Sequence, residues 1–329
     1  MAKFHKVIID TKGTDKGPAE VVAGAALALK AHPSLAVILV GDKELIEKEA
    51  AELGILGERV EIIDAKDEIT NYDNPADAIF RKSESSLVKA LAATSSRDDV
   101  CGMLSGGNTG AYIAGSIRYL SRPDRTRPAL AAIFPSASGG YTCLVDTGAT
   151  VDCTPAMLLQ FARLGCEFMT DSYKIEAPRV GLLSNGSEPT KGNKLVKETH
   201  ALLSDAEDIN FVGNIEGCNA FSGDCDVLVC DGFAGNQVLK VTEGTATRII
   251  KDVVKYAKRT ENPEIMKLVG HLMSLYDISS LGGGIILGSR KPLIKMRGSS
   301  GKDAIVNTTE MLINIAENKE AFNKAKSNL

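Results

Sequence analysis

Short β-branched runs alternate with longer stretches of helical apolar spacing from the first residues onward, and this rhythm limits the fold more than any other feature. Residues 7–10 precede a helical stretch at 18–31, 35–40 precede 42–53, 60–64 precede 75–93, and 100–104 precede 108–120. A period near two that switches to one near 3.6 and back is the pattern of βαβ units, which lays parallel strands beneath covering helices. The rhythm then changes. A Gly-rich segment at 138–140 leads into a strand at 141–145, and a helix starts from a cap at Asp152 or Thr154 with Pro155 in its first turn. Strands follow at 180–183, 209–212 and 226–230, with helices at 193–203, 236–258 and 303–325. No internal repeat or long linker divides the chain, so its 329 residues read as one large, two-lobed α/β unit over 1–329.

Several function classes drop out. A formal net charge of −4 disfavours nucleic acid as a partner, so any anion site must be local. The seven cysteines are odd in number and sit mostly in apolar runs, which suits a reducing, cytoplasmic setting. Without a CxxC pair or HxxxH spacing, no metal site is expected. The N-terminus carries no apolar signal region, and no run of ~18 apolar residues offers a membrane span. With four histidines, a histidine-centred mechanism is disfavoured, whereas 31 glycines against about 23 from average usage point to loops that approach a ligand.

In an open α/β sheet, ligands gather beyond the carboxyl ends of the strands. The loops there are unusual: Asp10-Thr-Lys12-Gly13-Thr-Asp15; Ser105-Gly106-Gly107-Asn108-Thr109-Gly110 opening a helix; Asp146 to Gly148 with Asp152; Asn185-Gly186 leading to Lys191; and Asp231-Gly232 through Gly235-Asn236, opening the helix that holds Lys240. Glycine at a helix N-terminus, where N–H groups lack partners, makes an anion site. As bare patterns these turns serve packing as often as binding, and neither matches GxGxxG or GxxxxGK[ST]. Single lysines such as Lys191 and Lys240 are more often solvated than functional.

Taken together the segments are recognisable. Asp10 to Asp15, SGGNTGA (105–111), RPAL (127–130), VDTGATVDC (145–153), QFA (160–162), NGSEPTKGN (185–193) and CDGFAGN (230–236) fall in the order of the motifs of the PlsX family. The chain resembles that family of phosphate acyltransferases over nearly its whole length. The resemblance implies a three-layer α/β/α fold with a mixed sheet, like that of isocitrate and isopropylmalate dehydrogenases, with two intertwined subdomains and a cleft between them. It also implies a homodimer that moves a fatty acyl group from acyl carrier protein to inorganic phosphate, without a cofactor, and supplies acyl phosphate to a glycerol-3-phosphate acyltransferase.

The residues suit such chemistry. Phosphate attack on a thioester needs a held dianion, a positioned carbonyl and donors for the tetrahedral oxyanion, but little proton transfer, because phosphate is largely ionised and the departing thiol has a solution pKa of roughly 8.5. Lys191 and Lys240 are the expected cations, Asn108 and Asn236 the orienting amides, and the two Gly-rich turns the backbone donors. Asp10, Asp15 and Asp152 are expected to hold loops. Lys12 and Thr14 stand where the family has Met and Gly, and Arg297 where it has His, adding two cations to the candidate substrate loops. Ile265, Leu268, Val269, Leu272, Met273 and Tyr276 mark one apolar helical face, for packing first and peripheral membrane contact second. Arg248, Lys251, Lys255, Lys258 and Arg259 form a basic face with Asp252 the one acid in that stretch, suited to an acidic carrier protein. The competing readings are a short-chain phosphotransacylase using CoA or a protein thioester, with Cys153 or Cys230 carrying the acyl group, and a non-catalytic regulator that binds acyl carrier protein.

Overall fold

The computed structural model describes residues 5–124, 126–276 and 283–327, with side chains placed up to residue 273 and over 283–318. The Tyr276 side chain, read above as part of an apolar helical face, lies outside those described. The chain divides into two compact units, one of Met1–Pro128, Asp171–Tyr173 and Gly282–Leu329, the other of Ala129–Thr170 and Lys174–Leu281.

In the first unit the strand order is β3 (Val60–Asp64), β2 (Leu35–Gly41), β1 (His5–Asp10), β4 (Val100–Ser105), β11 (Leu293–Lys295), β10 (Gly284–Leu287). The pairings are parallel until the β10–β11 hairpin, which is antiparallel. Alternate residues of these strands point to opposite faces. Val7, Ile9, Val37, Leu39 and Leu104 enter one core with Val21, Val22 and Ala25 of α1 (Gly17–Ala31) and Ile305 and Leu312 of α10 (Lys302–Ser327). Gly24 lets the two helices meet, since a Cβ there would fall 2.7 Å from Ile305. Each such fully buried aliphatic side chain is worth about 1.5–3 kcal/mol.

The stretch at 75–93, read above as one helix, is two: α3 (Pro75–Arg81) and α4 (Ser86–Ser96). The Ser-Glu-Ser-Ser run breaks it, because Ser85 takes the cap position of α4 and its N–H donates to the Lys82 carbonyl at 3.0 Å. The helix at 108–120 is α5 (Thr109–Leu120), capped by Asn108.

In the second unit the order is β5 (Ala129–Pro135), β6 (Tyr141–Val145), β9 (Val227–Val229), β7 (Arg179–Ser184), β8 (Asn210–Glu216). Only β5–β6 is antiparallel among these pairings. A Cβ on Gly165 of α6 (Pro155–Tyr173) would meet Val227 and Val145, so α6 lies on that face. Leu144, Leu228 and Cys230 point the other way and pack with Ala234, Val238 and Leu239 of α8 (Gly232–Thr260). Helix, sheet and helix thus form three layers here. Thr154, rather than Asp152, caps α6, and α8 begins at Gly232, one turn before the start at 236 read from apolar spacing. The unit is completed by α7 (Lys194–Ser204) and α9 (Pro263–Tyr276).

Candidate functional site

The first unit gathers its candidate residues at the carboxyl ends of β1, β4 and β11. Asp10 is buried, and its carboxylate accepts hydrogen bonds from the Ser105 hydroxyl at 2.7 Å and the Lys12 N–H at 3.1 Å. Ser105 Oγ in turn accepts from the Gly107 N–H at 3.1 Å. Burial pushes the Asp10 carboxyl up to about 6 and the Glu68 charge adds to the rise, against hydrogen bonds from Ser86, Ser105 and Lys12 that lower it. The two loops touch backbone to backbone. Gly13 has φ +81°, and a Cβ there would stand 2.4 Å from Gly107 Cα, which only glycine avoids. A Cβ on Gly106 would fall 2.5 Å from the Thr14 side-chain methyl, and the Asp15 N–H donates to the Gly298 carbonyl at 2.8 Å, beside Arg297. Lys12 extends to the Lys66 carbonyl at 2.6 Å.

Asn108 is engaged at both ends: Oδ1 accepts from Ala111 N–H at 3.0 Å, and Nδ2 donates to the Thr70 carbonyl at 3.0 Å. Its side chain caps α5 and ties down the 65–75 loop. By helix geometry the N–H groups of Thr109 and Gly110 remain as donors at this terminus.

The second unit gathers the rest around a buried carboxylate, Asp146, which the sequence places in a strand-end loop without showing its role. Asp146 accepts from four backbone N–H groups, those of Leu130 (2.9 Å), Gly148 (3.2 Å), Ala149 (3.1 Å) and Thr150 (2.7 Å), while burial still raises its pKa. This cradled loop seats the start of α8. A Cβ on Gly235 would lie 1.9 Å from the Asp146 carbonyl oxygen, and one on Gly232 would lie 2.7 Å from the Thr150 carbonyl. The Gly232 N–H donates to Thr150 O at 2.8 Å and the Ala234 N–H to Asp231 Oδ1 at 2.7 Å. The α8 terminus is therefore occupied by protein oxygens, leaving Phe233 N–H as its open first-turn donor. Gly232 and Gly235 are packing glycines here, and Gly110 at the start of α5 is one too, since a Cβ there would lie 2.8 Å from the Pro75 ring. Asn236 Nδ2 donates to the Thr147 carbonyl at 3.3 Å.

Lys191 is exposed between Asn185 and Gly192, and its aliphatic stem lies over Gly186, where a Cβ would be 2.6 Å from Lys191 Cγ. Asn185 Oδ1 closes the loop by accepting from the Gly192 N–H at 2.9 Å. Lys240 pairs with Glu243 at 3.3 Å and is half exposed. Asp152 is exposed one turn before α6. Two motifs far apart in sequence, NGSEPTKGN and CDGFAGN, share one cavity of about 510 Å3: Asn185, Gly192 and Asn193 line it together with Asp231, Phe233 and Ala234.

Each cluster holds a buried hydroxyl without a hydrogen-bond partner, Thr14 Oγ1 in the first unit and Ser184 Oγ in the second. Lys295 was not anticipated either. It donates to the Gly106 carbonyl at 3.2 Å and to that of Met296. The signal for it is its position at the end of β11, two residues before Arg297-Gly298. Among the described residues no group of three or more His, Cys, Asp or Glu is placed to hold a metal ion, and no helix is long and apolar enough to cross a membrane.

These features define an α/β protein with the fold of phosphotransacylases. A phosphotransacetylase from Streptococcus pyogenes matches with a TM-score of 0.62 at 17% identity, over 97% of this chain and 95% of that one. A 4-hydroxythreonine-4-phosphate dehydrogenase from Klebsiella pneumoniae matches with a TM-score of 0.54 at 11% identity, over 95% and 99%. At such identities the likeness is one of fold. In sequence, the chain is 40% identical over 330 residues to a phosphate acyltransferase of Halothermothrix orenii, covering 97% of this chain and 95% of the relative. A second phosphate acyltransferase, from Clostridium novyi, is 38% identical over 98% of both chains. The model of the family described as fatty acid synthesis protein matches residues 5–322, and the chain belongs to that family, the PlsX family of the motifs above.

Proposed function

We propose that this protein is a phosphate acyltransferase that moves a fatty acyl group from the thioester of acyl carrier protein to inorganic phosphate. The observation that carries the reading is the near full-length match to relatives bearing that name, 40% identical in the first case. The loop chemistry supports it. A phosphate oxygen attacks the thioester carbonyl, the new C–O bond forms as the C–S bond breaks, and the departing thiolate takes up the proton that phosphate gives up. No residue has to supply or store a net proton, so the scarcity of histidine is no obstacle.

In this reading Lys191 faces the phosphate or the developing oxyanion and Lys240 is a secondary cation, since Glu243 already neutralises it in part. Asn236 and Asn108 orient substrate through the loops they fasten. Asp10, Lys12, Gly13, Asp15, Ser105, Gly106, Gly107, Thr109, Gly110 and Arg297 shape the binding loops of the first unit, and Asp152, Asn185, Gly186, Asp231, Gly232 and Gly235 those of the second. We propose a cytoplasmic homodimer, with the exposed bases of α8, Arg248, Lys251, Lys255, Lys258 and Arg259, receiving the acidic carrier protein. Peripheral contact with the membrane and transfer of acyl phosphate to a glycerol-3-phosphate acyltransferase complete the proposal.

The test is phosphate-dependent release of free thiol from a panel of acyl carrier protein and CoA thioesters. Long-chain acyl carrier protein should be consumed only when phosphate is present. Brisk turnover of acetyl-CoA with none of long-chain acyl carrier protein would overturn the reading in favour of a short-chain enzyme.

A further inference from the structure

The cavity shared by the Asn185–Asn193 loop and the start of α8 has two chemically different parts. Its walls are aliphatic and aromatic: Leu158 and Leu182 are buried at the back, Leu195 and Val196 of α7 form one side, and Phe233 and Val238 of α8 the other. At the carboxyl end of β7 the wall includes Ser184, whose buried hydroxyl has no hydrogen-bond partner, and Asn185, with Asn193 and Asp231 joining them at the starts of α7 and α8. An unpaired buried hydroxyl costs free energy unless a ligand completes it. A site with an apolar body and a polar head at one end fits an amphiphile of the same build.

We infer that this cavity, within the second unit, binds the hydrocarbon chain of the acyl donor and sets its preferred length, with the Ser184 hydroxyl at the thioester end. The inference rests on the acyl-transfer reading and adds to it where the chain goes. The cavity lies within the ~300–1,000 Å3 range of small-molecule sites. Taking a methylene as close in size to a water molecule, about 30 Å3, its volume of about 510 Å3 takes on the order of 17 carbons. A two-carbon donor would leave the apolar walls wet. Each methylene buried is worth roughly a fourfold gain in binding, so kcat/KM should climb with chain length and level off once the cavity is full.

The experiment compares the wild type with Gln237→Trp and Leu195→Trp. Gln237 lines the cavity from the exposed side of α8, so its substitution leaves the hydrophobic core alone. Phosphate-dependent thiol release is measured with butyryl, octanoyl, dodecanoyl and palmitoyl carrier protein, and binding of the fluorescent fatty acid cis-parinaric acid is measured in parallel. Gln237→Trp should cut the palmitoyl-to-butyryl ratio of kcat/KM at least tenfold and weaken parinarate binding to a similar extent; folded Leu195→Trp should do the same. An unchanged ratio and unchanged parinarate binding in Gln237→Trp would overturn the assignment even if wild-type turnover is normal. So would a change confined to the oligomeric state, which would mark the cavity as a protein-contact surface. Wild type inert toward every thioester, but binding parinarate in a Gln237-dependent way, would instead sink the proposed reaction and leave the hydrocarbon site standing.

Discussion

Replacing Asp10 by Asn removes a buried carboxyl whose ionisation the fold resists, and the consequence can be worked out in sign and size. In the folded protein burial raises this group from an ordinary value of 3.8 to about 6. Below about pH 4 both folded and unfolded states carry the proton and the carboxyl costs nothing. Between about pH 4 and pH 6 the unfolded chain ionises while the folded one keeps its proton, so stability falls as pH rises, by ~1.4 kcal/mol per pH unit. Above pH 6 both states are ionised and the loss, about 3 kcal/mol in all, stays constant. Asp10→Asn lacks this dependence. Its carboxamide oxygen still accepts from Lys12 N–H, but its amide must donate where the Ser105 hydroxyl donated before, which adds an offset common to every pH. Urea unfolding of both proteins at fixed ionic strength, in steps from pH 4 to pH 7, should show the variant gaining about 3 kcal/mol on the wild type across the series. The difference cancels every other titrating group. A gap that stays flat, or that narrows as pH rises, would refute the claim that Asp10 is held in a poorly solvated setting.

Gly235→Ala puts a methyl 1.9 Å from the Asp146 carbonyl oxygen, a backbone atom that cannot swing aside. Overpacking of this kind costs about 1–3 kcal/mol, so a lower urea midpoint and a loss of activity are expected together, whereas Gly244→Ala, with no atom within 4 Å, should raise stability slightly through helix propensity. Burial raises the thiols of Cys143, Cys225 (to about 12) and Cys230, so in the native state they should resist iodoacetamide at neutral pH while exposed Cys218 is alkylated, as read by mass spectrometry. For the same reason Cys230→Ala should keep at least half the wild-type rate, against the reading in which it carries the acyl group. Lys191→Ala should lower kcat/KM for phosphate by about 10²-fold or more, in line with loss of one oxyanion donor, with its urea midpoint unchanged. Lys240→Ala should cost less than tenfold, and equal effects of the two substitutions would contradict the ordering.

The parallel halves of the fold were legible because βαβ units carry their own periodicity, and the elements that escaped were those whose residues do not advertise their state. Strand β5 reads Ala-Leu-Ala-Ala-Ile-Phe-Pro, with one β-branched side chain, and it becomes a strand because it pairs antiparallel with β6 in the buried interior of the sheet rather than through propensity. Strands β10 and β11, four and three residues long, are too short to show alternation. At the site, sequence order located the loops but not the division of labour inside them. Glycine looks the same in a motif whether its missing Cβ makes room for a ligand or for another strand-end loop. Only three-dimensional contact separates the two: the Cβ position of Gly235 is closed by Asp146 and that of Gly110 by the Pro75 side chain at 2.8 Å, whereas nothing stands within 4 Å of it at Gly139. Likewise the acid that organises the second unit, Asp146, is indistinguishable in sequence from Asp152 six positions later, yet one gathers four N–H groups in the interior and the other sits in solvent. The difference is set by which loop closes over which strand end, and that depends on the non-local pairing of β6 with β9, more than 80 residues apart in the chain. Motifs that a reader of sequence would assign to phosphate are thus first fastenings between loops, as Gly235 against Asp146 and Gly13 against Gly107 show.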